Sequence, residues 1–465
     1  MYLIFLFVLV LALFLTYILF QKDIFAPPTM MILVFLVSAI LLLARYDDWR
    51  VNEYSVNACV LLFIGIISFV LGGVIAFYVI QKITIQNRRI GSVLKKSLVS
   101  RIDISLIWIS LAIIMGVLEV KLLYRYICHT VVTMNYNHSS LASLLYSYRW
   151  VFINNLIPAE LGMPRYLGLL KYTVEVISAF SIYVFLHNII LKCYKKRDFI
   201  YFAIVLFWPL NAILTSSRGD IITLLAEAIY LIYFFFSVNR GFSMMTSLKV
   251  INKGVKILIA FLVFFFGFAV FQNRINSNNT LMNSITIYIS GGIRAFDLFV
   301  KEPLEKNMGL IGNDETLRYF SMFLAVHMHR GEKTLLPLEF RYIDGKSIGN
   351  IFTAFRRYYS DFGIVGIVIF SIILGLVMSL LYAKSKKACI YKKNAFVILL
   401  FSWLSKPIFY MAMEDYFYVS NISINSLYKI LVLYLLYLVF VEKRKFVRFR
   451  SEKNGTNLFE KKCDT

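Results

Sequence analysis

Apolar runs of membrane-spanning length recur along the whole chain, and they constrain its fold more than any other feature. A run of about 17 to 25 mostly apolar residues crosses a hydrocarbon core of about 30 Å. We count about eleven such runs in the 465 residues. Their approximate ranges are 2–20, 29–45, 58–80, 103–124, 166–191, 198–215, 220–237, 255–272, 362–383, 394–413 and 421–441. Because backbone amides must be hydrogen-bonded inside lipid, we predict an all-α polytopic membrane protein, with residues 1–465 forming a single integral-membrane domain.

The composition agrees with a membrane protein. Hydrophobic residues make up 60% of the chain and its mean hydropathy is +0.73, whereas soluble domains contain roughly 45–50% apolar residues. The net charge of +23 could suggest a nucleic-acid binder, but most of it comes from lysines in short loops between spans. Such lysines face anionic lipid head groups. We therefore predict membrane lipids as partners and no nucleic acid.

Lysine-rich loops predict the orientation of the chain, because short cytoplasmic loops hold an excess of Lys and Arg. Four basic loops follow the third, fifth, seventh and ninth spans, so all four fall on one side of the membrane. They are residues 81–101, 192–197, 240–256 and 384–393, and the basic tail 442–465 joins them. The N-terminus is predicted outside and the C-terminus in the cytoplasm. Residues 125–165 and 271–360 then form two external loops, the larger one between spans 8 and 9.

On the predicted external side the basic residues are mostly arginine, which orientation alone does not explain. Lysine suffices as a sorting charge, whereas a guanidinium group offers a planar fork that binds phosphate oxygens in a bidentate manner. The external arginines are Arg125, Arg149, Arg165, Arg218, Arg274, Arg294, Arg318, Arg330, Arg341, Arg356 and Arg357. We infer a phosphorylated ligand on this face.

The segment "TSSRGD", Thr215 to Asp220, is all that separates two predicted spans and is predicted to form a tight external hairpin. A serine can cap the following helix, Gly219 eases the turn, and Asp220 suits the positive N-terminus of that helix. These structural roles leave Arg218 unexplained, since a cation beside a helix N-terminus is mildly unfavourable. Arg218 is therefore a candidate ligand-binding residue.

The stretch "NIFTAFRRYYSDFGIVGIVIF" places Arg356, Arg357 and Asp361 at the edge of a span, where desolvating charge is costly. Tyr358 and Tyr359 could stack on sugar rings, although tyrosines of a membrane-interface belt have the same appearance in sequence. Asp361 has two interpretations. It is either a general base or the cap of the helix that begins there.

Histidines and carboxylates supply further candidates. His327 and His329 form the motif "HMHR" in the large loop, and a histidine with a pKa of roughly 6.5 could take a proton from a sugar hydroxyl. Histidines two residues apart share a face only on a strand, and no third ligand is suitably spaced. We therefore predict no metal and no cofactor.

Two further motifs have structural interpretations. The turn "EDYF", Glu414 to Phe417, either closes an external vestibule around the ligand or is a solvated turn. The segment "ISGGIRAFDLF" is predicted to lie along the membrane interface.

Several of these segments resemble a known family. They are "SSRG" at the hairpin, "YISGGIRAFD" in the large loop and "GNIFTAFRRYYSDFGIVGIVIFSIILGL" before a glycine-bearing span. Together with the many-span topology they are similar to bacterial Wzy-type O-antigen and capsule polymerases, which join oligosaccharide repeat units. The likeness of individual residues covers roughly 211–225 and 285–385. The best-matching positions are Asn350, Thr353, Tyr358, Tyr359 and Asp361 to Gly363.

The resemblance implies a GT-C-like glycosyltransferase acting, without cofactor, on the outer face of the cell inner membrane. Such enzymes transfer a growing glycan from undecaprenyl diphosphate to the next undecaprenyl-diphosphate-linked repeat unit. A chain-length regulator and a flippase are implied partners. Diphosphate binding is implied for Arg218 with one or both of Arg356 and Arg357. The substrate-binding positions are Arg294, Asn350, Tyr358 and Tyr359. No histidine matches a family motif, so the histidine candidates rest on position alone.

Other functions stay open. An O-antigen ligase would pass finished glycan to a different acceptor, and nothing in the sequence separates it from a polymerase. A flippase or other transporter would place its cations within the spans, near the middle of the membrane. The charges predicted inside spans are Glu119, Glu175, Glu227 and Lys406, of which only one is cationic. A non-catalytic scaffold would leave the arginine motif without a purpose.

Overall fold

The computed structural model describes residues 1–87, 100–154, 156–215, 217–254, 256, 281–303, 315–328, 338–393 and 395–442. Within these residues nine helices are long and apolar enough to cross a membrane. The chain is thus a multi-pass membrane protein, and its described part is mainly helical. The α-helices are α1 (Tyr2–Leu19), α2 (Pro27–Leu42), α3 (Val56–Asn87), α4 (Leu106–Thr133), α5 (Leu141–Ile153), α6 (Arg165–Ile190), α7 (Phe199–Val205), α8 (Phe207–Leu214), α9 (Arg218–Arg240), α10 (Leu281–Lys301), α11 (Arg318–His327), α12 (Ala354–Ile390), α13 (Phe396–Leu404), α14 (Lys406–Tyr410) and α15 (Ile424–Tyr437).

Short helical segments and one hairpin complete the described fold. Residues 244–254 are also helical. Single turns of 3-10 helix cover Leu43–Arg45, Val51–Glu53, Ala159–Leu161 and Lys196–Asp198, and π-helical turns cover Phe417–Asn421 and Leu438–Glu442. Strands β1 (Arg341–Ile343) and β2 (Lys346–Gly349) pair in antiparallel fashion. Asp344 and Gly345, between them, both have positive φ, as a tight hairpin turn requires.

Nine of the eleven predicted spans have a counterpart among these helices. The predicted span 394–413 is two consecutive shorter helices, α13 and α14, which together form an apolar stretch from Phe396 to Tyr410. The predicted span 255–272 lies outside the described residues apart from residue 256, and so does the tail beyond residue 442. Helix α4 continues to Thr133, so the loop predicted over 125–165 begins within a helix and contains α5.

Glycines bring the two longest helices, α3 and α12, into backbone contact. A Cβ atom added at Gly72 would overlap the carbonyl oxygen of Ile372, and one added at Gly375 would overlap that of Phe69. Small residues permit this close approach between membrane helices, where van der Waals packing replaces the hydrophobic effect as the driving force. Near the end of the same contact, Gly65 of α3 lies against the ring of Phe355. This packing fixes the position of the arginine motif, because Arg356 and Arg357 come directly after Phe355 in the chain.

Helix α12 is broken at Gly363, where φ is +61° and ψ is −149°. This backbone conformation is essentially restricted to glycine, because a Cβ atom would clash with the backbone. The break separates residues 354–362, which carry the arginine motif, from the span that follows. The motif thus has its own short helical segment.

The segment "ISGGIRAFDLF" is enclosed by protein rather than laid along a surface. It forms most of α10, which packs against α2, α3 and β2, and residues 290–297 are all buried. The prediction of an interfacial segment is therefore wrong, because both the apolar and the polar residues of this amphipathic pattern are buried inside the protein. Apolar residues such as Ile293 and Phe296 are buried in the core, and the polar residues are buried in a hydrogen-bonded network.

Candidate functional site

The segments singled out from sequence converge at one end of the bundle, which we call the hairpin end because α8 ends and α9 begins there. A Cβ atom added at Gly219, in the first turn of α9, would lie 2.5 Å from the hydroxyl of Tyr416. The arginine segment is tied to the same place, since the amide of Ala354 donates to the carbonyl of Met411 at 2.8 Å. Helix α10 joins them through Gly292, where an added Cβ would overlap the carbonyl oxygen of Ala412. The segment from Met411 to Tyr416, which leads into the "EDYF" turn, is therefore the place where the three motifs meet.

Lys406 is buried at this junction, with aromatic rings around its ammonium group. Its side chain is 7% exposed, and its Nζ lies 3.4 Å from the ring centroid of Tyr416 and 5.0 Å from that of Tyr410. A Cβ atom added at Gly219 would lie 3.5 Å from Nζ. Among the described residues Nζ forms no hydrogen bond and no ion pair within 4 Å. We call Lys406, Tyr410, Tyr416 and Gly219 the lysine cage.

Arg356 is fully buried and neutralised by two carboxylates. One guanidinium nitrogen forms an ion pair with Glu315, and the other donates to both carboxylate oxygens of Glu339, at 2.8 and 3.0 Å. Its guanidinium carbon lies 4.5 Å from the ring centroid of Phe299 and 4.8 Å from that of Phe352. Aromatic rings on its faces and carboxylates at two of its nitrogens compensate the charge at 0% exposure, while Nε has no hydrogen-bond partner among the described residues.

Arg357 points to the "EDYF" turn and lies near a second cation. One guanidinium nitrogen contacts Glu414 at 2.8 Å, and another donates to the carbonyl of Glu315 at 3.4 Å. Arg318, at the start of α11, interacts electrostatically with Arg357. Partial burial and this neighbouring charge lower the pKa of Arg318 below its ordinary value. Two guanidinium groups thus lie within electrostatic range of each other, with Glu414 and Glu315 acting on both.

Asp361 anchors a neighbouring segment. Its carboxylate accepts hydrogen bonds from the amides of Glu315 at 3.3 Å and Thr316 at 2.7 Å. The carboxylate therefore holds the chain that carries one of the partners of Arg356. It does not cap the start of its own span, since the span begins after the break at Gly363. The capping interpretation places Asp361 on the span that follows it, but Asp361 binds the backbone amides of Glu315 and Thr316 instead.

Asp415 is an acidic group with an unusual environment. One carboxylate oxygen accepts from the amides of Phe417 and Tyr418, at 3.0 and 3.1 Å, while the other has no hydrogen-bond partner among the described residues. Burial raises the pKa of Asp415 to about 7, and the amide hydrogen bonds and Arg357 oppose that rise. A carboxyl group that titrates near neutrality thus lies beside the arginines.

Arg294 lies apart from the other arginines and holds two parts of the fold together. It donates to the carbonyls of Trp49 at 2.7 Å and Arg50 at 3.0 Å, and it pairs with Asp297. Asp297 in turn accepts from the amide and hydroxyl of Ser55, at 2.9 and 2.6 Å. The side chain is 1% exposed. These contacts connect α10 to the segment between α2 and α3.

The remaining predicted residues occupy varied positions. Tyr358 is fully buried against Phe370 and Tyr418, and Tyr359 is partly buried with its ring near Phe299. Asn350 follows β2 and is half-buried. His327 is exposed at the end of α11, where its Nδ1 lies 2.8 Å from the carbonyl of Phe323 in its own helix. His329 and the side chain of Arg218 lie outside the described residues, but Arg218 begins α9 beside the lysine cage.

Sequence reasoning missed the role of Lys406 and the partners of the arginines. Lys406 attracts notice only as the one cation inside an apolar span, and nothing local shows that Gly219 will approach it. Glu315 and Glu339 are ordinary loop carboxylates by sequence. Their pairing with Arg356 depends on contacts across more than fifteen residues. These are tertiary contacts, so a local pattern carries no signal for them.

Comparison with known proteins adds no relative: no family model, no curated protein and no solved structure matches this chain.

Proposed function

We propose that the protein is a membrane glycosyltransferase that polymerises undecaprenyl-diphosphate-linked oligosaccharide repeat units at its hairpin end, on the outer face of the bacterial inner membrane. The observation that carries this proposal is the lysine cage. A buried ammonium group that forms no ion pair within 4 Å among the described residues lies against the first turn of α9, which begins at Arg218. Asp220 of the same turn acts on this ammonium group electrostatically. A helix N-terminus and a buried cation both favour an anion such as diphosphate.

The chemistry requires cations where charge develops. Breaking the bond between a sugar and a diphosphate leaves negative charge on the diphosphate, and preorganised donors stabilise that charge as it forms. We assign this role to Arg218, Arg357 and Lys406. Arg356 is assigned to positioning, because two carboxylates already bind it. Arg294 is likewise assigned to holding the fold around the site.

The acceptor sugar hydroxyl must lose a proton during transfer, and we assign Asp361 as the base. It adjoins the arginines through Glu315 and Thr316, whereas His327 is exposed at the end of α11 and bonds within its own helix. His329 is the alternative base. Tyr359, whose ring is near Phe299 at the edge of the arginine motif, is assigned to contacts with the sugar, and Asn350 to the rim of the same site.

The test is a reaction with defined components. The full chain is reconstituted in vesicles with undecaprenyl-diphosphate-linked repeat units, and the glycans are separated by length. A polymerase produces a ladder without nucleotide sugar or added metal. A ligase produces a product only when its separate acceptor is supplied, and a flippase moves the substrate across the membrane without lengthening it. A ladder supports the proposal, and either of the other results replaces it.

A transporter is the second candidate, because Glu119, Glu175 and Glu227 are carboxylates inside spans. Ionisable residues at this depth often belong to substrate or ion pathways. The vesicle reaction separates the two functions, since transport changes only which leaflet holds the substrate.

A further inference from the structure

Two buried carboxyl groups in the middle of membrane spans have no hydrogen-bond partner in the described part of the chain. Glu227 and Glu119 are both 0% exposed, and none of their four carboxyl oxygens has a hydrogen-bond partner among the described residues. Glu227 lies nine residues after the start of α9, about 14 Å along the helix at 1.5 Å per residue. By the same rise, Glu119 lies about 20 Å from either end of α4. Both positions are near the centre of a hydrocarbon core of about 30 Å.

Helix α6 lies between these two residues and carries the charged groups closest to them. It packs against both α4 and α9. Its Glu175 interacts electrostatically with Glu119 and with Glu227, and is itself paired with Lys429 of α15 at 2.7 Å. Lys171, also on α6, acts on Glu119. The amide of Asn211 faces Glu119 without the geometry of a hydrogen bond.

The charged groups continue from this position to the hairpin end. Asp220, in the first turn of α9, interacts electrostatically with Lys171, Lys406 and Lys429. Electrostatic interactions thus connect Glu227, Glu175, Lys429 and Asp220 with Lys406 of the lysine cage. Ionisable side chains inside membrane spans often belong to proton or ion pathways.

An ionised carboxylate in this environment would be costly. It has lost its water and has no hydrogen-bond donor among the described residues. The charge that acts on Glu227 is that of another carboxylate, Glu175, whereas Glu119 is acted on by Lys171 and, more weakly, by Glu175. Among the described residues no group of three or more His, Cys, Asp or Glu side chains could hold a metal ion. A proton is the ligand that removes the charge without further partners.

We propose that Glu227 and Glu119 are proton-binding residues within the membrane, of the kind found in proteins whose working cycle takes up and releases protons. The proposal is independent of glycan polymerisation. A polymerase, ligase or transporter would each carry these two groups in the same state.

The test uses dicyclohexylcarbodiimide, an apolar reagent that enters the membrane and reacts with protonated carboxyl groups. The carboxyl proton moves to a carbodiimide nitrogen while the carboxyl oxygen bonds to the central carbon. The acyl group then migrates to nitrogen, giving a stable N-acylurea from which nothing has left. Full-length protein in lipid vesicles is treated at neutral pH, and modified residues are located by mass spectrometry. We expect Glu227 and Glu119 to be labelled at least about tenfold more than the exposed Glu53 and Glu302.

A pair of matched variants supplies a second readout. Glu227→Gln replaces a neutral carboxyl by a neutral amide, so its thermal stability should match that of the parent protein. Glu175→Gln leaves Lys429 unpaired and should melt at a lower temperature. Two results would overturn the proposal. One is the absence of label on Glu227 and Glu119 while a water-soluble carbodiimide modifies Glu53 and Glu302 in the same sample. The other is a loss of stability in Glu227→Gln as large as that in Glu175→Gln.

Discussion

At the scale of single residues, the side chains that matter most are those whose charge is buried. Arg356 and Arg294 are compensated by carboxylates and backbone carbonyls, so their removal would leave buried partners unsatisfied. Lys406 differs, since its ammonium group contacts aromatic rings and forms no ion pair within 4 Å among the described residues, although Asp220 acts on it electrostatically. The distinction separates residues that build the site from a residue available to a ligand.

The first prediction concerns Lys406. Lys406→Met keeps the length and apolar body of the side chain and removes its charge, so the protein should fold while losing affinity for the lipid-linked diphosphate. We expect binding at least about tenfold weaker, as for the loss of a charge-assisted contact. This affinity is measured by equilibrium binding of a labelled undecaprenyl-diphosphate substrate to the purified protein. Lys386→Met, which removes a partly buried lysine paired with Asp23 at 2.6 Å, is the control for loss of a lysine elsewhere. Unchanged affinity in Lys406→Met would remove this residue from the site.

The second prediction concerns the pH dependence caused by Asp415. Its pKa is about 7 when folded and roughly 3.9 in an unfolded chain, so the folded state binds the proton more tightly. This stabilising contribution is complete below the unfolded pKa and is lost as pH rises through about 7. Asp415→Asn should abolish this loss and be more stable than the parent protein at pH values well above that point.

Thermal unfolding measured across a pH series shows whether stability falls as pH rises, as the raised pKa of Asp415 predicts. Asp48→Asn is the control, because Lys346 and Arg45 lower the pKa of that exposed carboxyl. Its stabilising effect is therefore lost as pH falls, in the opposite direction. If the parent protein and Asp415→Asn lose stability in parallel with rising pH, the burial of Asp415 is not the cause.

At the scale of elements, glycines determine which helices can meet. Gly219 lets the start of α9 touch Tyr416, and Gly292 lets α10 touch the backbone at Ala412. The break at Gly363 separates the short helical segment that carries the arginine motif from the span that follows, so the two helix axes need not be collinear. These elements are far apart in sequence, so the site depends on close approach between them.

The third prediction tests the contact at Gly219. Gly219→Ala places a Cβ atom 2.5 Å from the Tyr416 hydroxyl, so the first turn of α9 must shift and stability should fall by roughly 1–3 kcal/mol. Tyr416→Phe removes that hydroxyl, and the double variant should recover much of the loss. Gly168→Ala is the matched control, since an added Cβ there meets nothing within 4 Å. Equal melting temperatures for the two single alanine variants would contradict the contact.

At the scale of the whole molecule, the sequence predicts the helices well and the site only in part. The span predictions succeed because burial in lipid forces a long apolar run to be helical, and this information is local. The meeting of "SSRGD" and "RRYYSD" through Lys406 and the "EDYF" turn is not local, since it depends on which helices pack together. Arg356 shows the same limit. Its motif is visible in the sequence, but its partners Glu315 and Glu339 are identified only by the fold.

The most direct test of the account is the length of glycan made in vesicles from lipid-linked repeat units, compared between the parent protein and the variants Arg357→Lys and Lys406→Met. Removing one preorganised donor commonly lowers such rates by about 10² to 10³. We predict a ladder of lengthened glycans for the parent protein and for Gly168→Ala, and at most short products for the two site variants. The account is contradicted if the parent protein makes no ladder, or if both site variants make the same ladder as the parent.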